Sequence, residues 1–102
     1  FTWAAWYLRR IVGELGALPL PEAIRRITSL PALQAGLADR GRLVAGARAD
    51  VVVFDPAAVR EPADPYRPEA LAAGVDLVLV NGQPAWEGGR PTGIRAGEVI
   101  RA

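Results

Sequence analysis

The chain has 102 residues and contains no Met, no Cys and no His. Without thiolates or imidazoles it cannot by itself house a zinc finger, a Ser-His or Cys-His catalytic pair, or a thiolate- or imidazole-ligated metal. The missing Met makes Phe1 read as an internal residue of a longer polypeptide. Lys is absent too: every one of the 12 basic residues is Arg, and Ala occurs 19 times. That bias matches GC-rich codons and so describes a genome rather than an activity. Charge of one sign is also lacking. The net charge of +1 offers no basic stripe for a polyanion, so no nucleic-acid partner is expected. No apolar run approaches the roughly 18 residues needed to span a bilayer, so no membrane partner is expected either. The aromatic opening Phe1–Leu8 precedes Arg9 and Arg10, the reverse of the order in a secretory leader. A cytoplasmic location is the resulting expectation.

What is present is a globular composition, 51% hydrophobic and 23% charged, with length enough for one small domain. Ala4, Leu8, Ile11, Val12 and Leu15 recur at three and four, which predicts a helix from Trp3 to about Leu15 with Thr2 as its N-cap. Trp3, Trp6 and Tyr7 make its first turns apolar nearly all round, so it expects cover on several sides. After Gly16 and Pro19, with Pro21 suited to a first helical turn, Leu20, Ala23, Ile24, Ile27 and Leu30 form a second stripe. Ser29 is the expected cap of a short third helix from about Pro31 to Gly36.

Beyond Gly41 the period changes. Leu43-Val44 reads as a short strand, and Val51-Val52-Val53-Phe54 as a strand covered on both faces. Prolines at 56, 62, 65 and 68 break up a loop over 56–74, with one helical turn expected at Glu69–Ala73. Val75–Val80 is a second long strand, Asn81-Gly82 a hairpin turn, and Trp86 lies on the returning strand, which Pro84 restricts to an edge. Glu98–Arg101 is the last expected strand.

Several residues invite a chemical role, and each has a plainer reading. Asp39-Arg40 and Asp50 could serve as acid, base or metal ligand, but an isolated carboxylate does none of these well. Asp50 is better placed to accept backbone N–H groups in the turn before its strand, and Asp55, ahead of Pro56, reads as a turn former. The pairs Arg9-Arg10 and Arg25-Arg26 diverge by about 100° on a helix, which suits surface ion pairing rather than an anion site. Gly36, Gly41 and Gly46 match no phosphate-binding loop. Trp3, Trp6 and Trp86 suit packing or an interface more than ligand stacking. No catalytic, cofactor-binding or metal-ligating residue is assigned within these residues.

The order of segments says more than any single residue. Leu20-Pro21-Glu22-Ala23-Ile24 leads through Thr28-Ser29-Leu30-Pro31-Ala32 to Gly36-Leu37 and Asp39-Arg40-Gly41. Gly46, Ala49-Asp50-Val51-Val52-Val53-Phe54-Asp55-Pro56, Val78-Leu79-Val80-Asn81-Gly82 and Pro91-Thr92-Gly93 follow. From about Val12 to Arg101 this resembles the C-terminal end of the N-acyl-D-amino-acid deacylases (D-aminoacylases) of the amidohydrolase superfamily. The A-D-V-V-V-F-D and V-N-G runs are shared widely in the superfamily, whereas T-S-L-P-A followed by G-L-x-D-R-G is particular to the deacylase branch. Pro19, where deacylases commonly carry a capping Ser, and the Pro-rich stretch 56–74 depart from the pattern.

The resemblance implies an α+β fragment. Residues 1–37 would be the last helices of a metal-bearing (β/α)8 barrel, and 38–102 the C-terminal strands of a small β-sandwich-like domain built from both ends of the polypeptide. It implies a parent hydrolase in which zinc polarises the amide of an N-acyl-D-amino acid, giving a carboxylate and a D-amino acid. The ligands would lie outside these residues, so the segment holds no cofactor and is inactive alone. Its partner would be the remainder of its own polypeptide. A cyclic-amide hydrolase of the dihydroorotase or hydantoinase type, or a free-standing β-rich interaction module, are the alternative readings.

Overall fold

The computed structural model describes residues 3–62, 66 and 71–101. A helical first third is followed by a four-stranded antiparallel sheet. The helices are α1 (Trp3–Tyr7), a π-helical segment (Leu8–Glu14), α2 (Leu20–Ile27) and α3 (Ser29–Gln34). The strands are β1 (Val51–Phe54), β2 (Val75–Val80), β3 (Gln83–Glu87) and β4 (Arg90–Pro91), in the order β1-β2-β3-β4.

The first helix departs from expectation in its winding. Only Trp3–Tyr7 is α-helical, and the Leu15 N–H donates to the Arg10 carbonyl at 2.9 Å, five residues back. Spacing at three and four marks an apolar face without choosing between α and the rarer π geometry. What the wider turn achieves is on the surface: Arg9 and Glu14, five apart, share one face and pair there. Thr2 lies outside the described residues. α2 begins after Pro19, with Pro21 in its first turn, and Ala23 at its inner face is fully buried. Across that contact the Tyr7 hydroxyl donates to the Ala23 carbonyl at 3.2 Å.

The third helix starts at its expected cap residue, so the cap position falls one residue earlier. Ser29 is already helical and Thr28 is the N-cap residue, with φ −128° and ψ −85°. Its hydroxyl does not cap α3 but donates back to the Ile24 carbonyl at 2.7 Å, closing α2. A side chain that can satisfy the end of one helix is lost to the start of the next. α3 closes through Gly36, with the Leu37 N–H on the Ala32 carbonyl at 2.8 Å and the Gly36 N–H on the Leu33 carbonyl at 3.1 Å, a Schellman motif.

In the sheet the Asn81-Gly82 turn forms as its composition dictates. Both residues have positive φ (50° and 77°), the geometry whose twist suits a two-residue hairpin. Trp86 lies opposite Val78, and its indole N–H donates to the Val75 carbonyl at 3.1 Å. The register shifts between Val78 and Leu79, leaving Ala85 as an extra residue beside Pro84. That is a bulge at the position where proline removes a ladder donor.

Three strand expectations fail. Leu43 and Val44 form no strand and are 79% and 52% exposed. Glu98–Arg101 forms none either: its backbone pairs with no neighbouring strand, and the Glu98 side chain bonds Arg40. Of the turn expected at Glu69–Ala73, Glu69 and Ala70 lie outside the described residues. Ala73 makes an antiparallel bridge to Arg60, not a helical turn. Nor is β1 covered on both faces, since Val52 is 54% and Val53 45% exposed.

The core is correspondingly slight. Among the described residues the buried apolar ones are Ala5, Ala23, Ala32 and Val59, and no large side chain is fully buried. No helix packs directly on a strand among the described residues. A folded monomer of 10.8 kDa exposes roughly 5,500 Å², and this chain exposes 7405 Å². Its radius of gyration, 14.4 Å, likewise exceeds the roughly 13 Å of a compact domain of this length.

Candidate functional site

The charged residues singled out in the sequence converge, and they converge on one another. Arg40 reaches them because the loop after α3 is pressed against the α2–α3 junction at Gly41. There φ is +83°, and a Cβ would stand 2.8 Å from the Ala32 Cβ and 2.9 Å from the Thr28 carbonyl oxygen. Only glycine satisfies both the backbone conformation and that approach. The Arg40 side chain, 13% exposed, then donates from Nη1 to Asp50 Oδ2. From Nη2 it donates to Glu98 Oε1 at 2.7 Å and Asn81 Oδ1 at 3.3 Å.

Asp50 uses its second oxygen differently from expectation. Oδ1 accepts the Asn81 backbone N–H at 2.9 Å, from a turn 31 residues onward and not from the preceding one. Beside it the Gly82 N–H donates to the Ala49 carbonyl at 2.9 Å, and the Asn81 side-chain amide donates to the Ala96 carbonyl at 2.7 Å. Arg48 closes the loop onto Asp39 through its backbone N–H (2.8 Å) and its side chain (3.2 Å). The D-R-G, A-D and V-N-G runs, far apart in the chain, are thus one junction. It ties the loop after α3, the start of β1, the β2–β3 turn and the C-terminal tail.

The electrostatics follow from this geometry. The Asn81 N–H holds the Asp50 carboxyl below the usual range, burial opposes that shift, and Arg40 reinforces it. For Arg40, burial disfavours the charge, and its bonds to Asp50 and Glu98 outweigh it and raise the pKa. Asp39, Asp50 and Glu98, the carboxylates of this junction, each accept from an arginine. Among the described residues no three or more His, Cys, Asp or Glu are grouped to hold a metal ion.

A second cluster joins the helices to the loop after β1. Arg9 Nε donates to both Glu61 carboxylate oxygens at 2.9 and 3.0 Å, while its Nη1 pairs with Glu14. Arg10 donates to Glu14 as well, at 2.6 Å, and Arg25 and Arg26 both reach Glu22, at 2.7 and 3.0 Å. The adjacent arginines therefore do not diverge: long side chains bring each pair onto one carboxylate. An open cleft of about 330 Å³ lies beside Arg9, between Gly13 and the Pro56–Arg60 turn. Asp55 shapes that turn as expected, its side chain accepting the Ala57 N–H at 2.9 Å.

Neither Glu98 nor Glu61 stands out in the sequence as a partner, and Asn81 reads there as a turn residue alone. The only local signal was the pairing of Asn81 with Gly82. Trp86 is half-buried, whereas Trp3 and Trp6 are 62% and 45% exposed.

Comparison with known proteins places this junction. The model of the amidohydrolase family matches residues 2–85. The chain is 47% identical over 87 residues to the D-aminoacylase of Alcaligenes xylosoxydans xylosoxydans. It is 42% and 45% identical to the N-acyl-D-aspartate and N-acyl-D-glutamate deacylases of the same organism. These alignments cover 85%, 91% and 92% of this chain but only 18%, 19% and 19% of the relatives, so it spans about a fifth of their length. The crystal structure of D-aminoacylase superposes with a TM-score of 0.91 at 40% identity, covering 97% of this chain and 21% of that one. The N-acyl-D-glutamate deacylase of Bordetella bronchiseptica, complexed with zinc and a phosphonate inhibitor, gives 0.81 at 43% identity, covering 94% and 20%. The segments that meet around Arg40 up to the β2–β3 turn all lie inside the matched span, and the chain belongs to the amidohydrolase family.

Proposed function

We propose that this chain is the C-terminal, non-catalytic portion of an amidohydrolase that cleaves the amide bond of N-acyl-D-amino acids, releasing a carboxylate and a D-amino acid. In this reading residues 1–37 are the last helices of a (β/α)8 barrel and 38–102 complete a small β-domain with strands from elsewhere in the polypeptide. The observation that carries it is the near-equal identity, 42–47%, to three deacylases whose named substrates differ. A span equally like all three is a shared scaffold, and the groups that select a side chain lie elsewhere.

The surface supports a scaffold role. The excess of about 1,900 Å² over a self-contained fold is more than one side of a standard interface, roughly 800 Å². It includes Trp3, Trp6, Leu33 and Leu43, the kind of surface that a larger body covers. The two sheet edges differ as well. The β3–β4 side carries Pro84, a bulge and the two-residue β4, the usual means of blunting an edge. β1 presents Val51–Phe54 with no charge and no proline, an edge suited to receiving another strand.

Zinc is bound in the Bordetella deacylase structure. The residues here do not fit it: imidazole and thiolate are absent from the sequence, and the clustered carboxylates are held by arginines. Metal chemistry is therefore assigned to the remainder of the parent. The test is a substrate panel on the purified parent polypeptide. Turnover of N-acetyl-D-amino acids without turnover of dihydroorotate or hydantoins supports the reading. Turnover of the cyclic amides instead would replace it with the cyclic-amide alternative.

A further inference from the structure

The C-terminal tail is held in an unusual way. After β4, Thr92 still belongs to the sheet, its N–H on the Ala85 carbonyl at 3.0 Å and its hydroxyl on the Pro84 carbonyl at 2.6 Å. From Gly93 to Arg101 the described backbone makes no backbone–backbone hydrogen bond and has no regular structure. Yet it runs back across the β2–β3 turn. There the Asn81 amide grips the Ala96 carbonyl at 2.7 Å, Gly97 lies beside Val80, and Arg40 grips Glu98 at 2.7 Å. Arg48 stands 3.7 Å from the same carboxylate. On either side Ile94 is 45% and Val99 83% exposed, so apolar burial adds little.

We propose that residues 93–101 are a strap that opens and closes over the Arg40 junction, fastened by the Asn81 and Arg40 side chains. Both fastenings belong to groups the junction itself positions: Asn81 by its turn and its N–H on Asp50, Arg40 by Asp50 and the seat at Gly41. The strap therefore closes only on a formed junction and adds the second carboxylate that Arg40 bonds. One fastening is an exposed ion pair and weakens with salt, while the neutral Asn81–Ala96 bond does not. Loosening leaves the helices and sheet in place, because no strand or helix depends on residues 93–101.

Limited trypsin digestion of the full parent polypeptide tests this. Arg95 is exposed, and the bond after it ends at Ala96, whose own carbonyl Asn81 holds, so cleavage there requires the strap to open. Arg25 and Arg26, exposed on α2, report global unfolding. Glu98→Gln takes the charge out of one fastening, and Asn81→Gly removes the other together with the 3.3 Å contact to Arg40, while keeping a residue that accepts positive φ. Each should speed cleavage after Arg95 roughly three- to tenfold, the scale of one net hydrogen bond, with cleavage in α2 unchanged. Raising salt to about 0.5 M should bring the parent toward the Glu98→Gln rate and leave that variant unaffected. Equal rates in all three proteins, or parallel acceleration in α2, would overturn the strap.

Discussion

Replacing Gly41 by Ala should destabilise the protein well beyond the same change at Gly46, although the two glycines have nearly the same backbone conformation, φ +83° and +88°. An L residue in the left-handed region costs about 1–2 kcal/mol, and both variants incur that. At Gly46 nothing lies within 4 Å of the new Cβ. At Gly41 the Cβ would meet the Ala32 Cβ at 2.8 Å, the Thr28 oxygen at 2.9 Å and the Ser29 Cα at 3.2 Å. Two of those atoms are backbone and the third is a methyl fixed to a helix, so none can swing aside. Overpacking of this kind adds about 1–3 kcal/mol. The difference corresponds to a melting temperature lower by roughly 2–12 °C for a cooperative unit of 150–250 residues. Calorimetry of the parent polypeptide carrying each substitution measures it. Equal shifts would refute the claim that the α2–α3 junction seats the loop bearing Arg40.

Asp50→Ala removes the acceptor of the Asn81 N–H and the Arg40 partner together, at an expected cost of about 1–2 kcal/mol by denaturant titration. Asp50→Asn keeps an oxygen for Asn81 and should cost less; the reverse order would mean that charge alone matters there. Glu22 accepts from Arg25 first and Arg26 second, which lowers its carboxyl from 4.5 to about 2. A depressed folded-state pKa means that its stabilising contribution is complete above the ordinary value and lost as pH falls through about 2. The loss should run between pH 4.5 and 2, and Glu22→Gln should abolish that limb of the acid-stability curve; an unchanged limb would assign it to other carboxylates.

Both halves of the fold were open to reading in the chain because the signals are local. Proline and glycine bracket α2 and α3, and the apolar stripe of α2 needs nothing outside itself to be recognised. A β-branched run such as Val51–Val53 and an Asn-Gly pair dictate backbone geometry through sterics alone. The family, too, was legible from the order of the D-R-G, A-D-V-V-V-F and V-N-G runs, since order survives without coordinates.

The partners of those runs were not legible. Asp50 was expected to serve its own turn, and it serves one 31 residues away. Leu43-Val44 and Glu98–Arg101 have strand composition and form no strand, because a strand exists only when another backbone lies alongside to take its hydrogen bonds. Thr28 and Ser29 are both competent caps, and the choice fell to whichever hydroxyl could reach the end of α2. Composition and periodicity thus determined the local geometry of α2, β1, β2 and the Asn81-Gly82 turn, through sterics and solvation acting within a few residues. Tertiary structure decided that Arg40, Asp50, Asn81 and Glu98 share one site, because pairing across 58 residues depends on where the chain returns and on no property of the residues between.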